Sequence, residues 1–229
     1  MDQKATDGSQ RSGSGRLSAE EAARLPDRLL DAAMAVFLDQ GYAQTTMDRI
    51  VRAAGASTKT VYSRYRNKNE ILTAAVRRLM ERALPNLISE LDAEADETEP
   101  RLFLIKIGDR LATLATAEES LGIYRLVVAE SSRFPGLAKL YGEGSGRVLA
   151  FLTRLFAHWH KSGRLPFYSK PASAAAAFLD LVVATPRNKA VIGMPLSHAA
   201  LKKHVAAAVD IFLRGCGPQP RANPSGGKR

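Results

Sequence analysis

Cysteine is nearly missing from this chain. Cys216 is the only one in 229 residues, so no internal disulfide can form and a reducing compartment is expected. Long apolar runs are also missing. The longest, Ala172 to Ala184, is mostly alanine and is broken by Ser173 and Asp180, well short of the ~20 residues that cross a bilayer. The first residues, Met1 to Arg16, are rich in Ser, Gly and Gln and have no apolar core, so they read as a flexible leader rather than a signal peptide. Alternating apolar and polar residues between turn signals, the mark of strands, are absent as well. The signatures of common enzymes are missing too: there is no helical H-E-x-x-H, no G-x-S-x-G, no Walker lysine and no clustered carboxylates. No catalytic residue, metal site or cofactor motif is therefore assigned. Acidic residues are the minority charge, 23 against 33 Lys and Arg, which leaves +10 at pH 7 and favours a polyanionic partner. A hydrophobic content of 45% is enough for a substantial core.

Helical periodicity is present almost everywhere past Ser18, so the expected fold is all-α. A first helix is expected from Pro26 to Gln40, with Leu29, Ala33, Val36 and Phe37 inward and Gly41 as its left-handed cap. A second runs from Met47 to Ala54 behind the N-cap Thr46, and Gly55 ends it. A third starts at the N-cap Ser57 and runs to about Tyr65. A fourth starts near Lys68 with Leu72, Val76, Leu79, Ala83, Leu87 and Leu91 on one side, and Pro85 should kink or break it. The acidic stretch Asp92 to Glu99 reads as a solvated connection. Further helices are expected at Pro100–Ala115, Glu118–Ser131, Gly144–Ser162, Pro171–Thr185 and Ser197–Leu213. Residues 215–229 read as a flexible tail. The division is then 1–25 leader, 26–70 helix–turn–helix domain, 71–214 helical domain and 215–229 tail.

Charge is placed unevenly along this scheme. Between Arg49 and Lys68 stand Arg49, Arg52, Lys59, Arg64, Arg66 and Lys68 with no Asp or Glu, a local +6. Ile71 to Pro100 sums to −4, and the +12 of Arg101 to Arg229 is scattered. A concentrated basic patch on two short helices joined by a tight turn is what a DNA-reading unit requires. Ser57, Thr58, Lys59 and Thr60 begin the second of those helices, where side chains reach base edges and free amides favour phosphate. Val61 and Tyr65 should pack inward while Tyr62 faces out. Thr45 and Thr46 begin the preceding helix and could hold the backbone. Ser63 lies on the reading helix, and Lys68 adds a cation beyond it. Arg64 and Arg66 fit either phosphate contact or solvated surface.

These residues carry a resemblance. Leu30, Ala32, Ala33, Phe37, Gly41, Tyr42, Thr45, Thr46, Ile50, Ala54, Gly55, Ser57, Thr60, Tyr62, Tyr65, Lys68 and Leu72 fall, without a gap, on the spaced positions of the TetR family of bacterial transcriptional regulators. Val51 and Ala56 depart from the usual alanine and valine. Tyr124 to Leu137 resembles the C-terminal domain of an AefR-like or AcrR-like subset. The resemblance implies a homodimeric repressor, cytoplasmic and nucleoid-associated, that binds a palindromic double-stranded operator and is released by a small-molecule effector. It assigns DNA contact to Thr45, Thr46, Ser57, Thr58, Lys59, Thr60, Tyr62, Ser63 and Lys68. It also implies that the last two helices pair with a second copy through Phe178, Leu181, Val182, Leu201, Val205, Val209 and Phe212, although these could equally form a monomer core.

Tyr124, Arg125, Phe151, His158 and Phe178 are candidates for an effector cavity, with ordinary packing as the other reading. His158 and His160 point about 200° apart on a helix and cannot share a metal unaided. Trp159 reads as core, and Gly142, Gly144 and Gly146 as a flexible start of a helix. A constitutive DNA-binding protein without a switch is the rival reading, and an enclosed apolar cavity would separate the two. An enzyme with an accessory DNA-binding head would instead show titratable groups clustered in that cavity.

Overall fold

The computed structural model describes residues 19–94, 98–165 and 170–216. Residues 1–18 of the expected leader and 217–229 of the expected tail lie outside the described residues, as do positions 95–97 of the acidic connection. Every regular element among the described residues is a helix.

The first helix, α1 (Ala19–Gln44), begins before Pro26 and carries it inside. A proline removes one N–H from the helical ladder, but Ala19 to Leu25 are good helix formers and extend the helix on its N-terminal side. Gly41 leaves helical geometry at φ 78, ψ 160, a backbone that side-chain-bearing residues rarely adopt, and one more turn follows.

α2 (Met47–Ala54) and α3 (Thr58–Tyr62) are capped as expected. Thr46 accepts from the Arg49 amide and Ser57 from the Thr60 amide, while Gly55 takes the left-handed conformation at φ 58, ψ 30. α3 is shorter than expected. After Tyr62 the chain tightens, and the amides of Arg64 and Tyr65 both turn back to the Val61 carbonyl.

α4 (Lys68–Glu94) is one helix that does not end at Pro85. The part of its stripe at Ala83, Leu87 and Leu91 lies outside the described side chains. α5 (Pro100–Thr116) starts behind Glu99, whose carboxylate accepts from the Arg101 and Leu102 amides. α6 is Glu118–Glu130.

α7 (Pro135–Lys161) begins well ahead of the expected Gly144, with Pro135 in its first turn where the missing N–H is harmless. Gly142, Gly144 and Gly146 therefore lie within a helix and do not form a loose start. Gly144 has a packing reason: a Cβ there would stand 2.7 Å from Met80 Sδ. α8 (Pro171–Val191) continues through Pro186, and α9 (His198–Cys216) takes in Gly215 and Cys216, which were expected in the tail.

Two apolar clusters organise these helices. One joins Leu29, Ala33 and Phe37 of α1, Ile50 and Val51 of α2, and Val61 of α3. It continues through Ile71, Leu72, Ala75 and Val76 of α4 to Ile123, Leu126 and Val127 of α6 and Leu137 and Leu140 of α7. The other joins α5, α7, α8 and α9 around Phe103, Phe151, Phe156, Trp159, Phe178 and Phe212. Packing thus crosses the boundary expected at 70/71, because α4 supplies one wall of the head and α6 another. Phe178, Val182, Leu201, Val205, Val209 and Phe212 are all buried within this chain's own core, which decides the open alternative for them: they are monomer core. Only Leu181 of that set remains half-buried.

Candidate nucleic-acid interface

The turn between α2 and α3 presents the basic patch. Arg49, Arg52, Lys59, Arg64 and Arg66 are exposed, whereas Ile50 and Val61 are fully buried beneath them. Charge is thereby held outward by an apolar anchor on the opposite side of each short helix.

Within α3 the side chains divide by what their polar atoms already hold. Ser57 Oγ lies 2.7 Å from Thr60 Oγ1 and accepts from the Thr60 amide at 3.1 Å, so this pair is spent on the cap. The Ser63 hydroxyl donates to the Thr60 carbonyl at 2.9 Å. Thr58 and Lys59 are exposed in the first turn, and Tyr62 is 46% exposed, an unusual position for a large aromatic side chain. The side chains most open to a duplex are therefore Thr58, Lys59 and Tyr62, with Thr46 exposed at the start of α2. Tyr65 is half-buried against the head cluster.

Two expected contacts are corrected by their surroundings. Thr45 is 1% exposed, and its hydroxyl donates to the Gly41 carbonyl at 2.8 Å. It ties down the kinked end of α1 and has no atom to offer a phosphate. The Lys68 ammonium donates to the carbonyls of Tyr42 at 2.7 Å, Ala43 at 3.3 Å and Thr45 at 2.8 Å, and lies 4.3 Å from the Tyr42 ring centroid. An ammonium has three donors, so this lysine is fully used as a cap on the C-terminal carbonyls of α1, where a cation is electrostatically favoured.

Tyr42 is central to the same corner. Its ring stacks on Phe37 and meets Phe134 edge-on at 5.1 Å, and burial first, then the nearby Glu130 carboxylate, raises its phenol above the ordinary range. Arg78, which the sequence reading did not single out, ties α4 to α1 through Asp31 at 2.8 Å and Asp27 at 3.3 Å. Ionic spacing across 47 and 51 residues leaves no local signal.

The helical domain holds a cavity of about 430 Å³. Leu79 and Met80 of α4, Leu111 and Leu114 of α5, Val148 of α7, and Leu179 and Val183 of α8 make its apolar walls, while Glu119, Tyr141, Asp180 and Arg187 supply charge and a phenol. A few polar groups in an apolar hollow of this size are typical of a small-molecule site. A larger cleft of about 510 Å³ between α1 and α4 is walled by Asp31, Arg78, Glu81 and Arg82. Arg78 and Arg82 there are already paired with Asp31.

None of Tyr124, Arg125, Phe151, His158 and Phe178 lines the apolar cavity. Phe151 and Phe178 are core, and His158 is exposed on α7. Arg125 donates to the carbonyls of Ala190 and Val191, both at 3.1 Å, and so caps α8. Tyr124 stands just behind the wall, with its ring 4.4 Å from the Arg187 guanidinium and 6.0 Å from the Tyr141 ring. The residues that the sequence reading missed, Tyr141 and Arg187, come from α7 and α8, 46 residues apart. No group of three metal-ligating side chains occurs among the described residues.

The head's geometry and the sequence agree with known proteins. Residues 29–75 match the model of bacterial regulatory proteins of the tetR family, and residues 103–217 match that of the C-terminal domain of AefR-like transcriptional repressors. The HTH-type transcriptional regulator SrpR of Pseudomonas putida is 39% identical over 61 residues, 27% of this chain and 29% of that protein. The curated relatives are matched over less than two thirds of their length. A solved TetR-family transcriptional regulator from Mesorhizobium loti MAFF303099 is 28% identical with a TM-score of 0.79, covering 86% of this chain and 98% of that one. The flavonoid-responsive regulator FrrA is 29% identical with a TM-score of 0.65, covering 87% and 100%. With a capped, basic helix–turn–helix at one end and the matched helical domain at the other, the chain belongs to the TetR family of DNA-binding transcriptional regulators.

Proposed function

We propose that this regulator is a repressor that binds a palindromic operator as a homodimer, with the N-terminal end of α3 in the major groove, and that a small molecule in the apolar cavity releases it. The observation that carries the reading is the course of α4. Ile71 to Val76 form part of the head's core, while Leu79 and Met80, one turn on, wall the cavity. A ligand that shifts those walls acts on the helix that positions the head, which supplies the differential contact that allosteric coupling requires. FrrA is described as flavonoid-responsive, and a ligand response in a protein of the same architecture supports the same role for this cavity. The cavity is also what favours a switch over a constitutive DNA-binding protein.

Base reading falls to Thr58 and Lys59, and backbone contact to Thr46, Tyr62 and the exposed arginines. Dimerisation uses the outer face of α8 and α9, where Ala177, Thr185, Ala207 and Ile211 are exposed; Ile211 is 60% exposed. No helix among the described residues is long and apolar enough to cross a membrane, and the proposed site of action is the nucleoid in the cytoplasm.

Selection of binding sites from random double-stranded DNA at ~150 mM salt, the physiological range, tests this reading. A palindrome with half-sites about one helical turn apart or a multiple of it is expected. Enrichment of a single asymmetric site, or of none, overturns the dimeric operator model.

A further inference from the structure

Arg187 enters the cavity from α8 with its Nε shielded from solvent and without a hydrogen-bond partner. Its position is nonetheless well held. The guanidinium lies 4.4 Å from the Tyr124 ring centroid, and the Tyr141 ring stands 6.0 Å from that of Tyr124, with its phenol under the influence of the Arg187 charge. The aromatic face beneath it sets the plane of the fork and leaves the Nε–H without an acceptor, and a buried unpaired donor calls for a missing acceptor. The planar guanidinium matches a carboxylate in two parallel bonds. Away from this end the walls are aliphatic, from Leu79, Leu111, Leu114, Val148 and Val183.

Two carboxylates also face the cavity, Asp180 and Glu119, and both are exposed. Asp180 lies seven residues from Arg187 on the same helix, about 10 Å along its axis. The negative groups therefore sit on the wet side and the single positive group at the sheltered end. That polarity orients an asymmetric ligand, with its anionic head held at Arg187 and repelled at Asp180.

We propose that the cavity binds an amphiphilic carboxylate, its head on the Arg187 fork between Tyr124 and Tyr141 and its apolar body along Leu111, Leu114 and Val183. The assignment rests on the effector reading of the same cavity given above. The head-group preference follows from geometry, so a matched set of chains with different heads reads it directly.

The test measures binding of decanoate, decanol and decylammonium to the full chain by titration calorimetry, the two ions below their micellar concentrations and decanol below its solubility limit. Decanoate is expected to bind at least tenfold more tightly than decanol, with decylammonium weakest. Arg187→Met is expected to remove the preference for decanoate while leaving decanol within threefold. Ser145→Trp, placed on an exposed rim position, is expected to weaken all three by filling the opening. Equal affinity for decanoate and decanol, tightest binding of decylammonium, or a preference that survives Arg187→Met overturns the proposal. If Arg187→Met loses its cooperative melt, Arg187→Lys keeps the charge without the fork; a drop of at least threefold in the preference supports the proposal and no change overturns it. Release of operator DNA is read separately. Arg187-dependent binding without release refutes the effector reading and leaves the ligand class standing, whereas release by decanol or decylammonium with no preference for decanoate does the reverse.

Discussion

Replacing Lys68 by methionine separates a cap from a phosphate contact. The ammonium makes three hydrogen bonds to the carbonyls that end α1, two of them at 2.7 and 2.8 Å. A bond to a charged group is worth a net ~1.5–3 kcal/mol when buried. Lys68 is only half-buried, so its two short bonds are discounted to ~1–2 kcal/mol each and the long one is neglected, leaving a loss of about 2–4 kcal/mol. For a chain of this size each kcal/mol moves Tm by roughly 2–4 °C, so a fall of about 5–15 °C is expected. The slope of log affinity against log salt should stay unchanged for the folded fraction, because no phosphate contact is lost. Lys59→Met is the contrasting variant: its side chain is exposed on α3, so Tm should hold within a degree or two while operator preference changes. Thermal melts monitored by circular dichroism, paired with DNA titrations at several salt concentrations, check both. A Lys68→Met protein with unchanged Tm and a salt slope reduced by ~1 would refute the capping argument and restore the phosphate role.

The wild-type protein should itself lose about 10³–10⁵ in operator affinity between 50 and 200 mM salt if the dimer neutralises roughly 6–10 phosphates; a flat response in a fluorescence anisotropy titration contradicts the role of the basic patch. Gly108→Ala places a methyl 2.8 Å from Val205 Cγ1 and 3.4 Å from Val182 Cγ1. Overpacking of about 1–3 kcal/mol outweighs the ~1 kcal/mol gained in helix propensity, so urea denaturation should show a net loss and never a gain. Glu99 and Asp210 both have folded pKa values below normal, Glu99 chiefly through the Arg101 and Leu102 amides and Asp210 chiefly through its hydrogen bond from Arg101. Carboxyls in the unfolded chain titrate near 4, so this stabilisation is fully present above that range and is lost as pH falls through the lowered folded values. Glu99→Gln with Asp210→Asn should therefore flatten the acid limb of Tm below about pH 5, where the unfolded carboxyls begin to protonate; an unchanged limb rules these two groups out.

How far the sequence could be read depended on how far apart the partners lie. Thr46, Gly55 and Ser57 act within three or four residues, and their cap roles were legible. Phe37, Ile50 and Val61 follow helical periodicity, and their burial was legible too. Thr45 and Lys68 were misread because a threonine and a lysine beside a basic turn look like phosphate ligands. Only the folded chain brings the Tyr42 carbonyl to Lys68 across 26 residues. Glycines in a sequence look like punctuation, which hides the start of α7, whereas Gly144 lies inside that helix where a side chain would collide with Met80 of another. The cavity was placed on aromatic residues, which the structure uses mainly as core, while its walls come from aliphatic positions on four helices that carry no distinguishing pattern alone.

One turn of α4, about 5.4 Å, separates Val76, sealed in the head's core, from Met80 at the cavity wall and against Gly144. In evolutionary terms the two compartments cannot drift apart freely. On the proposed effector reading, a change of volume at 79 or 80 that suits a new small molecule also pulls on the residues that seat the reading head, and altered ligand range and altered operator occupancy are then expected from the same substitutions. Lineages that change one while keeping the other must repair along this helix, and paired differences at 75, 76, 79, 80 and 144 are where that history would be recorded.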